Sequence, residues 1–247
     1  MRRFGWVIVL IAVFALWQAW VDLRGVPDYL LPAPTDVAKT LWDERSSLFS
    51  DAVHTFGEML AGFAVAIVSG LAVATLMHRW QTLRRALYPL LTATQSIPLV
   101  ALAPLLVVYL GFGLAPKLVI IALVCFFPIT VGAVDGFEGV DPEYRRMMRT
   151  LHASDSAIFR RVEFPAALPS IFSGARVAAS YTAIAALFAE FVGSSAGLGF
   201  TIRQADDQFD TALIGAAVLL LALLALILFW GVGLVQRVVA PWSRQAR

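Results

Sequence analysis

Residues 141–170 read DPEYRRMMRTLHASDSAIFRRVEFPAALPS, a polar island between two long apolar runs. Asp141, Pro142 and Glu143 make a helix start: a capping carboxylate, proline at the first helical position and an acid in the first turn. Tyr144, Met147, Met148 and Leu151 then recur at helical spacing, with Arg145, Arg146 and Arg149 elsewhere on the circumference. Ser154 offers a second cap, Asp155 favours the new N-terminus, and Ile158, Phe159 and Val162 form a second apolar stripe. Pro165 and Pro169 are expected to end that helix, and Ser170 to cap the next. Two roles fit such a segment: an arginine-rich surface resting on lipid head groups, or a docking face for a soluble partner.

Outside this stretch the chain is built for lipid. It is 60% hydrophobic and 15% charged over 247 residues, whereas soluble domains run near 45–50% apolar and about 25% charged. One cysteine, Cys125, lies in an apolar run, which excludes a disulfide framework and argues against a sulfur-ligated metal. A net charge of +2 is too small to point to nucleic acid. Runs of roughly 20 apolar residues cross ~30 Å of hydrocarbon, and six are expected near 4–20, 54–77, 86–110, 115–134, 171–192 and 211–235. The first is longer than a signal-peptide core and ends WQAWVDL, so it is read as an uncleaved anchor. With the N-terminus inside, all but five of the 19 lysines and arginines fall on the inner side, leaving Arg24, Lys39, Arg45, Lys117 and Arg203 outside. That bias places both termini and the 141–170 segment in the cytoplasm.

The expected architecture is all-α, one polytopic membrane domain over 1–247 with its core at about 30–235. In segment 22–50, Pro32 and Pro34 break the chain and Thr35 is the expected cap of a short surface helix. Gly62, Ala66, Gly70 and Ala74 in the second span, and Ala175, Ala179 and Ala183 in the fifth, form small-residue stripes suited to close helix approach. The sixth span, VLLLALLALILFW, is bulky and expected to face lipid. Pro98, Pro104 and Pro128 punctuate the third and fourth spans. Thr92, Thr94, Gln95 and Ser96 beside Pro98 either line a pathway or bond their own backbone.

The same central stretch resembles the cytoplasmic loop of permease subunits of bacterial ABC importers. That family pattern is Glu-Ala-Ala, three residues, Gly, nine residues, Ile, any residue, Leu-Pro. Here Arg146-Met147-Met148 stands at the first element, His152 at the glycine, and Val162-Glu163-Phe164-Pro165 at the end, with the spacing kept. LPAPTDVAKTL and AEFVGSSAGLGFTI add a likeness to the sulfonate, taurine, nitrate and thiamine-pyrimidine-precursor branch. The resemblance implies a type I importer permease with six transmembrane helices. It further implies a separate ATPase that binds the ATP, an extracytoplasmic substrate-binding protein, a second permease copy and no cofactor on this chain. It makes residues 149–162 a coupling helix, with Arg149, His152, Ser154, Asp155, Ile158, Phe159, Arg160, Val162 and Pro165 at the ATPase contact. His152 replaces a glycine that can take positive φ, a conformation histidine adopts at a cost.

Other functions fit the residues less well. GSSAG at 193–197 matches Gly-x-Ser-x-Gly, but His54, His78 and His152 all precede Ser195 and none supplies the base in that motif's chain order. Lys39 and Lys117 are the only lysines and neither sits in a Walker A loop. A secondary transporter would carry ionisable groups at mid-membrane, and Glu58 and Glu190 lie near the outer ends of their spans. The expected pathway set is Thr94, Gln95, Ser96, Pro98, Thr182 and Glu190. Within the family the 95–143 run looks most like importers of hydroxymethylpyrimidine or related heterocycles, with sulfonate, taurine or nitrate as the alternative.

Overall fold

The third expected span is where proline chemistry overrides apolar length. The computed structural model describes residues 5–244, the side chains of 5, 6, 99, 100 and 244 excepted. In it, 86–110 is not one helix but two, α4 (Gln81–Thr94) and α5 (Leu99–Leu110), separated at Gln95–Pro98. Pro98 supplies no N–H and forces the residue before it out of the helical region, and it sits at the head of α5 with φ −68° and ψ 114°. At 1.5 Å per residue these helices are about 21 and 18 Å long, so neither crosses ~30 Å of hydrocarbon alone.

Five other helices are long and apolar enough to cross. They are α1 (Gly5–Arg24), α3 (Arg45–Arg79), α6 (Leu114–Glu138), the Asp155–Gly193 helix and α11 (Thr211–Val239). Shorter helices join them: α2 (Pro34–Asp43), α7 (Pro142–Thr150) and α10 (Leu198–Asp207), with a 3₁₀ turn at Pro241–Arg244. The Asp155–Gly193 helix is built from α8 (Asp155–Ile158), one π turn (Phe159–Glu163) and α9 (Phe164–Gly193). Among the described residues every regular element is helical.

The core is α3, α6 and α9, with α6 between the other two. In lipid the attraction between helices is mainly contact and packing, so backbones must approach closely. Gly62, Ala66, Gly70 and Ala74 are all buried, and the stripe faces α6: a Cβ at Gly62 would come within 2.6 Å of Ile121. The α6–α9 contact is closer and uses glycines outside the expected stripes. Gly174 lies against Gly132 and the Pro128 carbonyl, leaving no room for a side chain. Helix α11 is two-faced rather than wholly lipid-facing: Ala216, Leu221, Leu224 and Leu228 are buried while Leu223, Ile227 and Trp230 are exposed. Helix α1 stands apart, exposing Ile8, Ile11, Leu16 and Trp20, and its Gln18 Oε1 accepts the Thr35 N–H at 3.2 Å. Thr35 is therefore not the cap of α2. That position is Ala33, whose N–H donates to Asp36 Oδ2 at 3.2 Å, with Pro34 in the first turn.

Candidate functional site

Two polar clusters occupy opposite ends of the α3–α6–α9 core. At one end, α7 starts as its sequence dictates: Asp141 Oδ1 accepts the Glu143 N–H at 2.8 Å, followed by Pro142 at the first position. Its exit is a double-bonded C-cap, with Ala153 N–H donating to Met148 O at 3.0 Å and His152 N–H to Arg149 O at 2.9 Å. Closing that cap requires a left-handed residue, and His152 takes it with φ +56°. Ser154 then caps the new helix, its Oγ accepting the Ala157 N–H at 3.3 Å.

The helix that begins at Asp155 does not stop where proline was expected to end it. It runs 39 residues to Gly193, straight through Pro165 and Pro169, so Ser170 lies inside it rather than at a cap. The π turn explains the passage of Pro165: Phe164 N–H bonds Phe159 O, five residues back. A turn opened by one residue makes room for a proline ring that would otherwise meet the carbonyl four residues earlier. It also turns Glu163 inward, where only 8% of it is exposed. Glu163 Oε2 lies 2.9 Å from His78 Nε2 in the last turn of α3, and Oε1 lies 2.6 Å from Arg145 Nε in α7. Arg145 Nη2 also donates to Phe137 O at 2.9 Å, so α3, α6, α7 and the π turn meet at one carboxylate.

The expected contact residues divide sharply by exposure. Arg149, His152, Ser154, Asp155 and Arg160 are exposed, and Val162 and Pro165 half-buried. Ile158 is only 4% exposed, and the Phe159 ring packs 5.5 Å from Phe137 and 6.0 Å from both His78 and Phe164. These two side chains, expected at the contact surface, pack against their own bundle, Ile158 buried and Phe159 half-buried. The apolar side chains left facing outward are Tyr144, Met147 and Leu151, all from the α7 stripe. A cavity of about 340 Å³ opens on the other side of the segment, lined by Ile158 and Phe159 together with His78, Arg79, Arg149 and Asp155.

The opposite end is closed by charge. Glu190 is fully buried. Its Oε1 accepts the Thr55 hydroxyl at 2.7 Å and its Oε2 the Gly199 N–H at 2.5 Å. Thr55 Oγ1 in turn accepts the Leu198 N–H at 2.9 Å, and Asp51 Oδ1 accepts the Gly197 N–H at 3.0 Å. The N-terminal amides of α10, the positive end of its dipole, are thus spent on the protein's own oxygens. Gly197 has φ +105°, and any side chain there would collide with the Glu190 carboxylate. A side chain at Gly199 would meet the same Glu190 side chain, so both glycines of the 197–199 turn are accounted for. Ser195 is exposed, whereas the hydroxyl in use belongs to Ser194, which receives Lys117 Nζ at 2.8 Å. Lys117 is itself 5% exposed and donates to Glu58 Oε1 at 2.5 Å, an oxygen that His54 Nε2 also approaches at 3.0 Å.

The expected pathway residues are not brought together. Thr94, Gln95, Ser96 and Pro98 are exposed at the α4–α5 break, while Thr182 and Glu190 are buried in α9. Thr94 and Thr182 direct their hydroxyls to the Leu91 and Ala179 carbonyls at 2.6 and 2.7 Å, so these two bond their own helix. Sequence reasoning missed Lys117, counted as a surface charge, and Glu163, although Glu163 falls four residues after Phe159 on the buried stripe.

A family model described as the binding-protein-dependent transport system inner membrane component matches residues 62–245. The chain belongs to that family. Among relatives of this permease, the formylaminopyrimidine transport permease protein ThiX of Halalkalibacterium halodurans is 32% identical, covering 96% of this chain and 95% of its own. The riboflavin transport system permease protein RibX of Chloroflexus aurantiacus is 37% identical, covering 98% and 93%. The taurine transport system permease protein TauC of Escherichia coli is 27% identical, covering 96% and 89%. Among solved structures, an inward-facing MetNI methionine ABC transporter chain shares the fold with a TM-score of 0.68 at 19% identity, over 80% of this chain and 98% of that one. The protein is an ABC importer permease, a membrane subunit and not itself an enzyme. It works beside a separate ATPase and a substrate-binding protein, as the family's description implies.

Proposed function

We propose that this permease forms the path for a small nitrogen heterocycle of the pyrimidine-precursor class, acting as a homodimer. The carrying observation is near-full-length identity of 32% to a formylaminopyrimidine permease and 37% to a riboflavin permease. The taurine permease is the runner-up at 27%. Both termini and the 141–170 loop lie in the cytoplasm, in keeping with the arginine bias. The ATPase, which binds the ATP, seats on this loop. Leu151, Met147 and Tyr144 offer the apolar anchors, and Arg149, Ser154, Asp155 and Arg160 the polar rim.

Movement enters at Asp155 and travels along one helix of about 58 Å. The Glu163 clamp makes α3 follow α9, and at the far end Glu190 makes the 194–199 turn and α10 follow too. Closure of the ATPases thereby reaches the outer mouth, where the loaded binding protein docks. Gln95 and Ser96, beside Pro98 at the α4–α5 break, are the exposed polar groups assigned to the path. A thermal-shift screen of the cognate binding protein against hydroxymethylpyrimidine, riboflavin, taurine and nitrate tests the substrate class. Stabilisation by a heterocycle alone is expected, and stabilisation by taurine or nitrate alone overturns it.

A further inference from the structure

Among the described residues, Arg176 in the membrane-spanning part of this permease has no carboxylate partner. Arg176 lies in α9 between Gly174 and Val177, and among the described residues no acid comes within ion-pair distance of it. Its Nε is buried and unpartnered, and its guanidinium sits over the Phe229 ring at 5.8 Å. The facing helix, α11, contains no aspartate or glutamate. Gly233 of α11 makes the room, since a Cβ there would stand 3.0 Å from Arg176 Nη2. One turn further along the same face of α11, toward the 141–170 end, stands exposed Arg237, also without an ion-pair partner among the described residues. A cation within a membrane helix is costly unless an anion or the interface satisfies it. A side chain on α9 slants toward its helix N-terminus, which here is the same 141–170 end.

A slot of about 470 Å³ begins at Phe229 and Ser180 and runs between α9 and α11 past Ala183, Leu221 and Ala222 to Leu187. Its lining is apolar, because the Ser180 hydroxyl is turned to the Arg176 carbonyl at 3.3 Å. Arg176, over the Phe229 ring and one turn before Ser180, sets a cation beside the mouth of this apolar slot, and the pair has the two-part chemistry of a phospholipid. We propose that this slot holds an acyl chain of an anionic phospholipid whose phosphate seats on Arg176 and Arg237. The site is distinct from both clusters described above and does not depend on which solute is carried.

Native mass spectrometry of the intact transporter, extracted from membranes containing phosphatidylglycerol, counts the lipid retained. Arg176→Gln and Arg237→Gln should each lower retention about five-fold, the effect of one basic group at a lipid surface. Ala222→Trp fills the slot from its exposed rim without touching the arginines, and should lower retention as well. Arg176→Lys should keep most of it. Excess inorganic phosphate should not displace the lipid, because the acyl chain supplies part of the binding. Equal retention in wild type, Arg176→Gln and Ala222→Trp overturns the site, and displacement by phosphate alone overturns the lipid as its occupant. A disulfide forming between two copies through Ala222→Cys also overturns it, by showing that a second permease fills the slot.

Discussion

Glu163 Oε2 lies 2.9 Å from Nε2 of His78, although 85 residues separate them in the chain. With Arg145 on the other oxygen, this one carboxylate joins the loop-bearing helix to the end of α3. Replacing it by alanine leaves His78 without its hydrogen-bond partner and Arg145, one third exposed, without its counter-charge. Hydrogen bonds to charged groups contribute about 1.5–3 kcal/mol each. Glu163→Ala is expected to cost about 2–3 kcal/mol in thermal unfolding and to uncouple ATP hydrolysis from the loaded binding protein. A mutant with full binding-protein stimulation would show that the clamp does not transmit.

At His152 the question is backbone strain. A left-handed residue with a side chain costs roughly 1–2 kcal/mol, and histidine is among those that tolerate it best. His152→Gly removes the strain but adds chain entropy in the unfolded state, so stability should hold or rise by up to about 1 kcal/mol. His152→Val should lose about 1–2 kcal/mol, because β-branching makes φ +56° harder to reach. Melting curves of the two variants in one detergent check the order.

Leu151 and Ile158 should separate docking from folding. Leu151 is 69% exposed and Ile158 4%. Leu151→Asp is expected to insert and fold normally while losing co-purification with the ATPase. Ile158→Asp buries a charge and should reduce the yield of folded permease itself. Normal ATPase capture by Leu151→Asp would move the contact elsewhere.

The Glu58–Lys117 pair tests the far end. Its side chains are 5% and 7% exposed, so removing one partner strands a buried charge at a cost of about 3–5 kcal/mol. Lys117→Met should show that loss, and the Glu58→Leu, Lys117→Met double variant should recover most of it. A double variant as unstable as the single would mean that Ser194 and His54, not the charge pair, hold this end.

Local rules made the loop legible. The Asp141 and Ser154 caps, the break between them and the demand for positive φ at His152 all follow from residues within a few positions of one another. The rest depended on partners remote in sequence. Pro165 was expected to stop a helix, and a π turn that nothing in FRRVEFP announces carries it through. Lys117 reads as a surface charge until folding places Glu58 and Ser194 against it. The apolar length of 86–110 counted toward a single span, and Pro98 divides it. Ile158 and Phe159 form a stripe in either case, but periodicity does not say whether a stripe faces a partner or its own bundle.

Uptake by proteoliposomes, supplied with the loaded binding protein on one side and ATP on the other, tests the central claim most directly. Accumulation is expected only when the separate ATPase subunit is present and able to hydrolyse ATP, and it should fall sharply in Glu163→Ala. Uptake that ignores the ATPase and follows an ion gradient instead would contradict the account.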